Sequence, residues 1–347
     1  MTEEMTSKER VLAALNLKEP DRVPVGSFAT HVAGKIVGIS VKDYATDGEK
    51  MAIGQRALFE KGGFDILFPF SHVGMIAEGW GSKVRYMDAD VSPLISEYAV
   101  KSADEWKEVE PFDPEEVAGV QVLVKAIGHL KEWLDERAFV LGVMFCPMTS
   151  ATHACSLSNV LKQVKRNPDL LSIGLETITE SLIREAKALE EAGADGIFLA
   201  VTRATREILT RKQYEDIARK WDEKLLRKIH VPVILHVCGT DPLLDMLVDF
   251  PSVKGINWWD RGTNWSLSDA KVKFGDRTCL AGGIDQTRTI LMGSPKDVEE
   301  EAKDAIEQAG KGGGFILFSG CDLPIATSLE NIQAVSIAAK RYGTYPL

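Results

Sequence analysis

The chain has 347 residues, of which 45% are hydrophobic and 27% charged, and its formal net charge is -10. An acidic balance of this size argues against a nucleic-acid binder, which needs clustered Lys and Arg, and no apolar run approaches the roughly 20 residues that span a bilayer. The five cysteines are scattered over a long chain rather than arranged as a disulfide framework, and the polar start Met1-Thr-Glu-Glu lacks the apolar centre of a signal peptide, so a reducing cytoplasm is the expected home.

Ser7-Lys-Glu-Arg-Val-Leu-Ala-Ala-Leu15 follows a Thr start, carries apolar residues at helical spacing and is stopped by Pro20, which predicts a short leading helix. Val23 to Phe28 and Phe64 to Phe70 read as the first two strands, with a helical stretch at 48–61 between them. Residues 75–112 break the rhythm with Gly, Asp and Pro and predict an excursion of small strands and loops. An amphipathic helix over 114–136 returns the chain to a strand at Phe139–Phe145. Helices at 149–166 and 168–192 lead to a strand at 196–200, and a helix at 210–229 leads to the strand that opens at Val233. Short helices at 242–249 and 266–274 alternate with strands at 255–258 and 279–284. A helix at 295–309, a strand at 315–318 and a last helix at 328–342 close the series. Eight short apolar strands, each followed by a helix, predict an α/β fold: a single (β/α)8 TIM barrel over 1–347 with an N-terminal helical extension.

That fold places function at the carboxyl ends of the strands. His31, His72, Cys146, Thr202, Arg203, His236, Cys238, Asp260, Asp285 and Cys321 all fall there. In Val233-Ile-Leu-His-Val-Cys-Gly239 the two-residue period of a strand sends His236 and Cys238 to the same side. An imidazole and a thiol converging there suit a soft divalent metal, Zn2+ first, and Cys321, after the apolar strand Phe315-Ile-Leu-Phe, offers a third ligand. Three ligands leave a fourth position open, which is the pattern of a catalytic zinc.

Ordinary explanations stand beside each of these. A His and a Cys on a buried strand are also what core packing produces, and Cys146, Cys155 and Cys279 read as core. His129, His153 and His230 read as surface or interhelical residues, whereas His31 and His72 are candidates to touch substrate. Asp285, in Gly282-Gly-Ile-Asp-Gln286, either binds substrate or holds a zinc histidine in its tautomer, or else caps a helix; paired glycines such as Gly283 let a ligand approach the backbone. Asp260 either takes the fourth zinc position or pairs with Arg261. Trp258, Trp259 and Trp265 either wall a flat mouth or pack in the core.

Ser7-Lys-Glu-Arg-Val-Leu-Ala-Ala-Leu15, Glu19-Pro-Asp-Arg-Val-Pro-Val25, Glu191-Ala-Gly-Ala-Asp-Gly196, His236-Val-Cys-Gly239, Gly282-Gly-Ile-Asp285 and Gly320-Cys321 together resemble the uroporphyrinogen decarboxylase superfamily over essentially the whole chain. The decarboxylase itself carries an arginine-rich motif after its first strand; here that place reads Ser27-Phe-Ala-Thr-His-Val-Ala-Gly-Lys35, with no arginine. The His-x-Cys with a distant Cys is similar instead to the cobalamin-dependent branch, typified by methylcobamide:coenzyme M methyltransferases. That resemblance implies a thiol bound as thiolate at a zinc held by His236, Cys238 and Cys321, with Asp260 as exchanging ligand and Asp285 in support. It also implies a methylated corrinoid (cobalamin) presented by a partner protein. A metal-free decarboxylase and a non-catalytic metal or corrinoid carrier are the competing classes, and oligomeric state stays open, a homo-oligomer included.

Overall fold

The computed structural model describes residues 4–87, 90–250 and 252–347. Nine strands occur among them: β1 Ile66–Leu67, β2 Lys83–Arg85, β3 Leu94–Glu97, β4 Phe139–Phe145, β5 Gly196–Ala200, β6 Val233–Val237, β7 Val253–Trp258, β8 Cys279–Ile284 and β9 Phe315–Ser319. Seven of these form one parallel sheet in the order β1-β4-β5-β6-β7-β8-β9, while β2 and β3 make a separate antiparallel pair inside the 75–112 excursion. The barrel strands are buried on both faces, which is why they read as unbroken apolar runs rather than alternating ones.

The first expected strand is the one departure from eight. Residues 23–28 make only an isolated parallel bridge, Val25 to Leu317. Pro24 has no N–H to give a ladder, so the segment pairs through what remains: Gly26 N donates to Leu317 O (3.0 Å), Leu317 N to Pro24 O (2.9 Å), and Asp65 N to Val25 O (2.8 Å). These bonds reach β9 on one side and the start of β1 on the other, so the irregular segment closes the gap between the sheet's two ends. Pro69 limits β1 in the same way, leaving two paired residues.

Helices follow the expected order. Ser7–Leu15 begins with a capping box in which Thr6 and Glu9 satisfy each other's backbone N–H groups. The helices Pro147–Cys155 and Leu157–Arg166 stand where one was expected, broken at Ser156, whose φ is 61°. Short helices at His31–Lys35 and Val41–Thr46 were not legible as helices, being too brief for a periodic signal. No helix among the described residues is long and apolar enough to cross a membrane.

At the floor of the barrel, under the amino end of β1, sits a buried charge network. Asp65 accepts from Arg10 Nη1 (2.7 Å), Arg22 Nη1 (2.8 Å), Arg22 Nη2 (3.0 Å) and Val25 N (2.8 Å). Arg10 also forks onto Asp21 through Nε (2.6 Å) and Nη2 (2.7 Å). The Glu19-Pro-Asp-Arg motif is therefore architectural: it ties the leading helix to the strand ends.

Candidate metal centre

Parallel pairing of β6 with β7 sets His236 opposite Asn257, so both side chains turn into the barrel from the same level. Asn257 Nδ2 donates to two backbone carbonyls, Ala281 O (2.8 Å) and Ser319 O (3.0 Å), which fixes the amide's orientation and leaves Oδ1 facing His236 Nδ1 at 2.6 Å. An amide oxygen only accepts, so Nδ1 carries the imidazole proton and Nε2 presents a lone pair. The ring is held from both sides, stacked on Phe198 at 5.4 Å and meeting Phe28 edge-on at 5.7 Å.

That lone pair points at two sulfurs. Cys238 Sγ lies 2.9 Å from His236 Nε2, Cys321 Sγ lies 3.9 Å from it, and the sulfurs are 3.8 Å apart. Gly239, with φ of 101°, makes the turn after Cys238 in a conformation that L side chains rarely adopt, and the loop is pinned where Thr240 N donates to Glu207 (2.7 Å). On the other strand Ser319 Oγ donates to Cys321 O (2.7 Å) and accepts from Ser27 Oγ (2.6 Å), so the irregular first segment also braces the second sulfur.

The donor set fits a zinc ion. A tetrahedral zinc bonded at about 2.3 Å to sulfur and 2.0 Å to nitrogen separates its donors by roughly 3.5 to 3.8 Å. Two edges of the triangle match this, and the shorter third edge is a direct hydrogen bond that a metal would replace. Among the described residues these three are the one such group, with ligand atoms within 4.8 Å of one another. The hydrogen bond from Cys321 holds the Cys238 thiol below its usual range against the effect of burial, with Arg203 adding to the fall; the same bond, and burial, hold Cys321 well above it.

Other expected residues fall elsewhere. The Asp260 carboxylate is not in the cluster: Oδ1 accepts from Gly283 N (2.9 Å), Oδ2 faces Arg261 Nε at 3.4 Å, and burial pushes its pKa up to about 6. The pairing with Arg261 is the role that the structure gives it, since its oxygens lie between β7 and β8. Asp285 does not hold His236, whose Nδ1 belongs to Asn257. Burial works to raise the Asp285 carboxyl, but hydrogen bonds from Arg288, from the backbone of Arg288 and Thr287, and from Trp259 Nε1 bring it down to about 2. Gly283 leaves no gap for a ligand either. A Cβ there would stand 2.4 Å from Ala305, so the glycine lets the helix Pro295–Ala309 pack on β8.

His31 and His72 do reach the mouth. His31 lines a cavity of about 120 Å³ with Ser92, Asp322 and Leu323, and its Nε2 is buried without a partner among the described residues. His72 Nε2 pairs with Tyr86 OH at 2.9 Å, and its Nδ1 is likewise unpartnered. Burial keeps His72 neutral, its pKa pulled down to about 3. His153, expected as a surface or interhelical residue, is buried against Phe145, with its pKa also lowered to about 3 by burial and by Arg203. Trp258 is core, as packing alone would place it.

Two residues escaped the sequence reading. Asn257 was detectable as a polar residue inside the apolar run Gly255-Ile-Asn-Trp, but only the register reveals its partner. Asp322, next to Cys321, accepts from Thr30 Oγ1 at 2.9 Å, and burial raises its pKa to about 7.

Comparison with known proteins bears on this site. A family model described as uroporphyrinogen decarboxylase matches residues 6–342. The chain is 27% identical over 344 residues to a methylcobamide:CoM methyltransferase of Methanosarcina barkeri, covering 98% of this chain and 99% of that one. It is 24% identical over 346 residues to a methylated-thiol–coenzyme M methyltransferase of Methanosarcina mazei, covering 98% and 90%. A uroporphyrinogen decarboxylase of Hydrogenovibrio crunogenus is 23% identical over 270 residues, covering 74% and 73%. Among solved structures, a methyltransferase from Methanosarcina mazei superposes with a TM-score of 0.87 at 26% identity over 98% of this chain and 99% of that one. A full-length family match, together with methyltransferase relatives that span the whole chain, places this protein in the uroporphyrinogen decarboxylase family, within its methyltransferase branch.

Proposed function

We propose that this protein is a zinc-dependent methyltransferase that moves a methyl group between a corrinoid carried by a partner protein and a small thiol. The observation that carries the reading is a histidine locked into one tautomer by Asn257, its free Nε2 aimed at two cysteines from separate strand ends. His236, Cys238 and Cys321 would hold the metal, and a zinc bound there supplies Lewis acidity that keeps a substrate sulfur deprotonated at neutral pH.

The chain's own residues do the rest. Asn257, Phe198 and Phe28 fix the imidazole, so little reorganisation is left for the bound state. The substrate thiol would lose its proton to solvent and its sulfur would take up the methyl group, and the corrinoid, when docked, would supply that methyl and keep the electron pair of the bond it gives up. The same site serves the reverse transfer from a methylated thiol. The methyl-transferring relatives support the corrinoid, and the donor chemistry of the cluster supports the zinc. Spectral loss of methylcobalamin on adding 2-mercaptoethanesulfonate or 2-mercaptoethanol to the zinc-loaded protein tests this. Turnover should vanish in Cys238→Ala; undiminished turnover in that variant would contradict the assignment.

A further inference from the structure

The three candidate ligands are not held alike. His236 lies within β6 and Cys238 one residue past its end, so the sheet itself places both. Cys321 stands two residues past the end of β9, and the ladder stops before it, where Gly320 N donates to Ile284 O (3.0 Å). Beyond that bond the chain is held from the other side, by the irregular segment at 27–30.

Ser319 Oγ is the centre of that contact. It accepts from Ser27 Oγ (2.6 Å) and Phe28 N (3.1 Å) and donates to Cys321 O (2.7 Å), which uses the one donor and both acceptor sites that a hydroxyl has. Leu323 N donates to Phe28 O (2.8 Å) and holds the loop from its far side. Thr30 adds the least expected bond. It is the N-cap of the helix His31–Lys35, where a threonine ordinarily accepts from the helix's own N–H groups; here it makes no such cap, and its Oγ1 donates to the Asp322 carboxylate at 2.9 Å. A helix start without its cap loses stability, and the hydroxyl is spent instead on the residue beside Cys321. The segment is itself anchored. The fully buried Gln55 donates through Nε2 to Ala29 O (2.7 Å) and accepts through Oε1 from Phe68 N (2.8 Å), tying the segment to the residue that follows β1.

We propose that Ser27, Thr30 and Ser319 are positioning residues for Cys321: together they hold its sulfur within reach of His236 and Cys238, so that the third ligand is set by a hydroxyl clamp rather than by the sheet. The inference rests on the metal reading above and deepens it by assigning the residues that complete the site. All three side chains are buried, so a hydrogen bond lost there is not replaced by one to water. Cys321 is then the ligand whose distance responds to changes in the first segment, while His236 and Cys238 stay where β6 puts them.

Two measurements read the position of that sulfur. In metal-free, reduced protein, phenylarsine oxide bonds two neighbouring thiols at once and releases water, so it reports whether Cys238 and Cys321 meet. With cobalt(II) as the metal, the thiolate-to-cobalt charge-transfer band reports how many sulfurs bind. The wild type should capture one equivalent of the arsenical, lost in Cys238→Ala, and should show the two-sulfur cobalt band. In Ser319→Ala and Thr30→Val the capture should weaken and zinc affinity fall, each by about tenfold to hundredfold, with the cobalt band dropping toward one sulfur. Thr30→Ser, which keeps the hydroxyl, should restore all three. Thr30→Val preserves the shape of the side chain, so it carries the test where Ser319→Ala unfolds. An arsenical captured by the wild type and weakened in the variants upholds the clamp even in a protein that takes up no metal, and in that case the zinc reading fails alone. Capture and cobalt band alike in wild type and variants overturn the clamp, as does a wild type that captures no arsenical.

Discussion

The two ends of the barrel handle buried polar groups in opposite ways. At the floor, Arg10, Arg22, Asp21 and Asp65 neutralise one another through short, multiply bonded contacts. At the mouth, among the described residues, Nδ1 of His72, Nδ1 of His153 and Nε2 of His31 are buried without partners, no carboxylate pairs with Arg203, and two thiols crowd against one imidazole lone pair. A network that satisfies itself holds a fold together; one that leaves capacity unspent costs stability and is retained where a ligand completes it.

The largest expected effect is at the floor. Asp65→Ala removes the carboxylate that two buried guanidiniums share and should destabilise the protein by about 3 to 5 kcal/mol, read from the midpoint of chemical unfolding. A loss below about 1 kcal/mol would mean that the floor is not the satisfied partner in the comparison.

At the mouth, Asn257→Ala frees His236 to take either tautomer. Zinc affinity, measured by competition with a chromophoric chelator, should fall by about tenfold to hundredfold, as loss of the group behind a ligating histidine does elsewhere. Unchanged affinity would remove Asn257 from the site.

Glu185 is the point that sharpens the contrast, because its carboxylate is fully buried with both oxygens unpartnered among the described residues, yet it lies on the helix Pro168–Glu191 rather than in the mouth. Burial raises its pKa from 4.5 to about 8. Between those values the native state keeps a proton that the unfolded chain releases, so stability should fall as pH rises through this window, by at most about 1.4 kcal/mol per unit for the one group. Glu185→Gln should flatten that slope in pH-dependent denaturation; an unaltered slope would show that the carboxyl finds a partner.

Much of this was legible in the chain. Alternation of apolar runs with amphipathic stretches marked seven of the barrel strands within a residue or two for most, because doubly buried strands leave so little else to read. Val23 to Phe28 read as an eighth strand, but Pro24 withholds the N–H that a ladder requires, and periodicity does not register that loss. The trio His236, Cys238 and Cys321 was readable because a two-residue period and strand-end placement are local properties. What supports the trio was not, since Asn257 meets His236 only through the β6–β7 register. For the same reason Asp260 and Asp285, conspicuous as acids after strands, turned out to face Gly283, Arg261 and Arg288 instead. Gly282 and Gly283 looked like a ligand approach and proved to be room for Asp260 and a packed helix.

The central claim is that side chains at the carboxyl ends of β6 and β9 meet around one zinc. X-ray absorption at the zinc edge of protein loaded with one equivalent of metal tests it most directly. The account predicts two sulfurs at about 2.3 Å and a nitrogen at about 2.0 Å in the first shell, with one sulfur missing in Cys321→Ala. A first shell of oxygen and nitrogen alone, or one unaltered by that substitution, would contradict it.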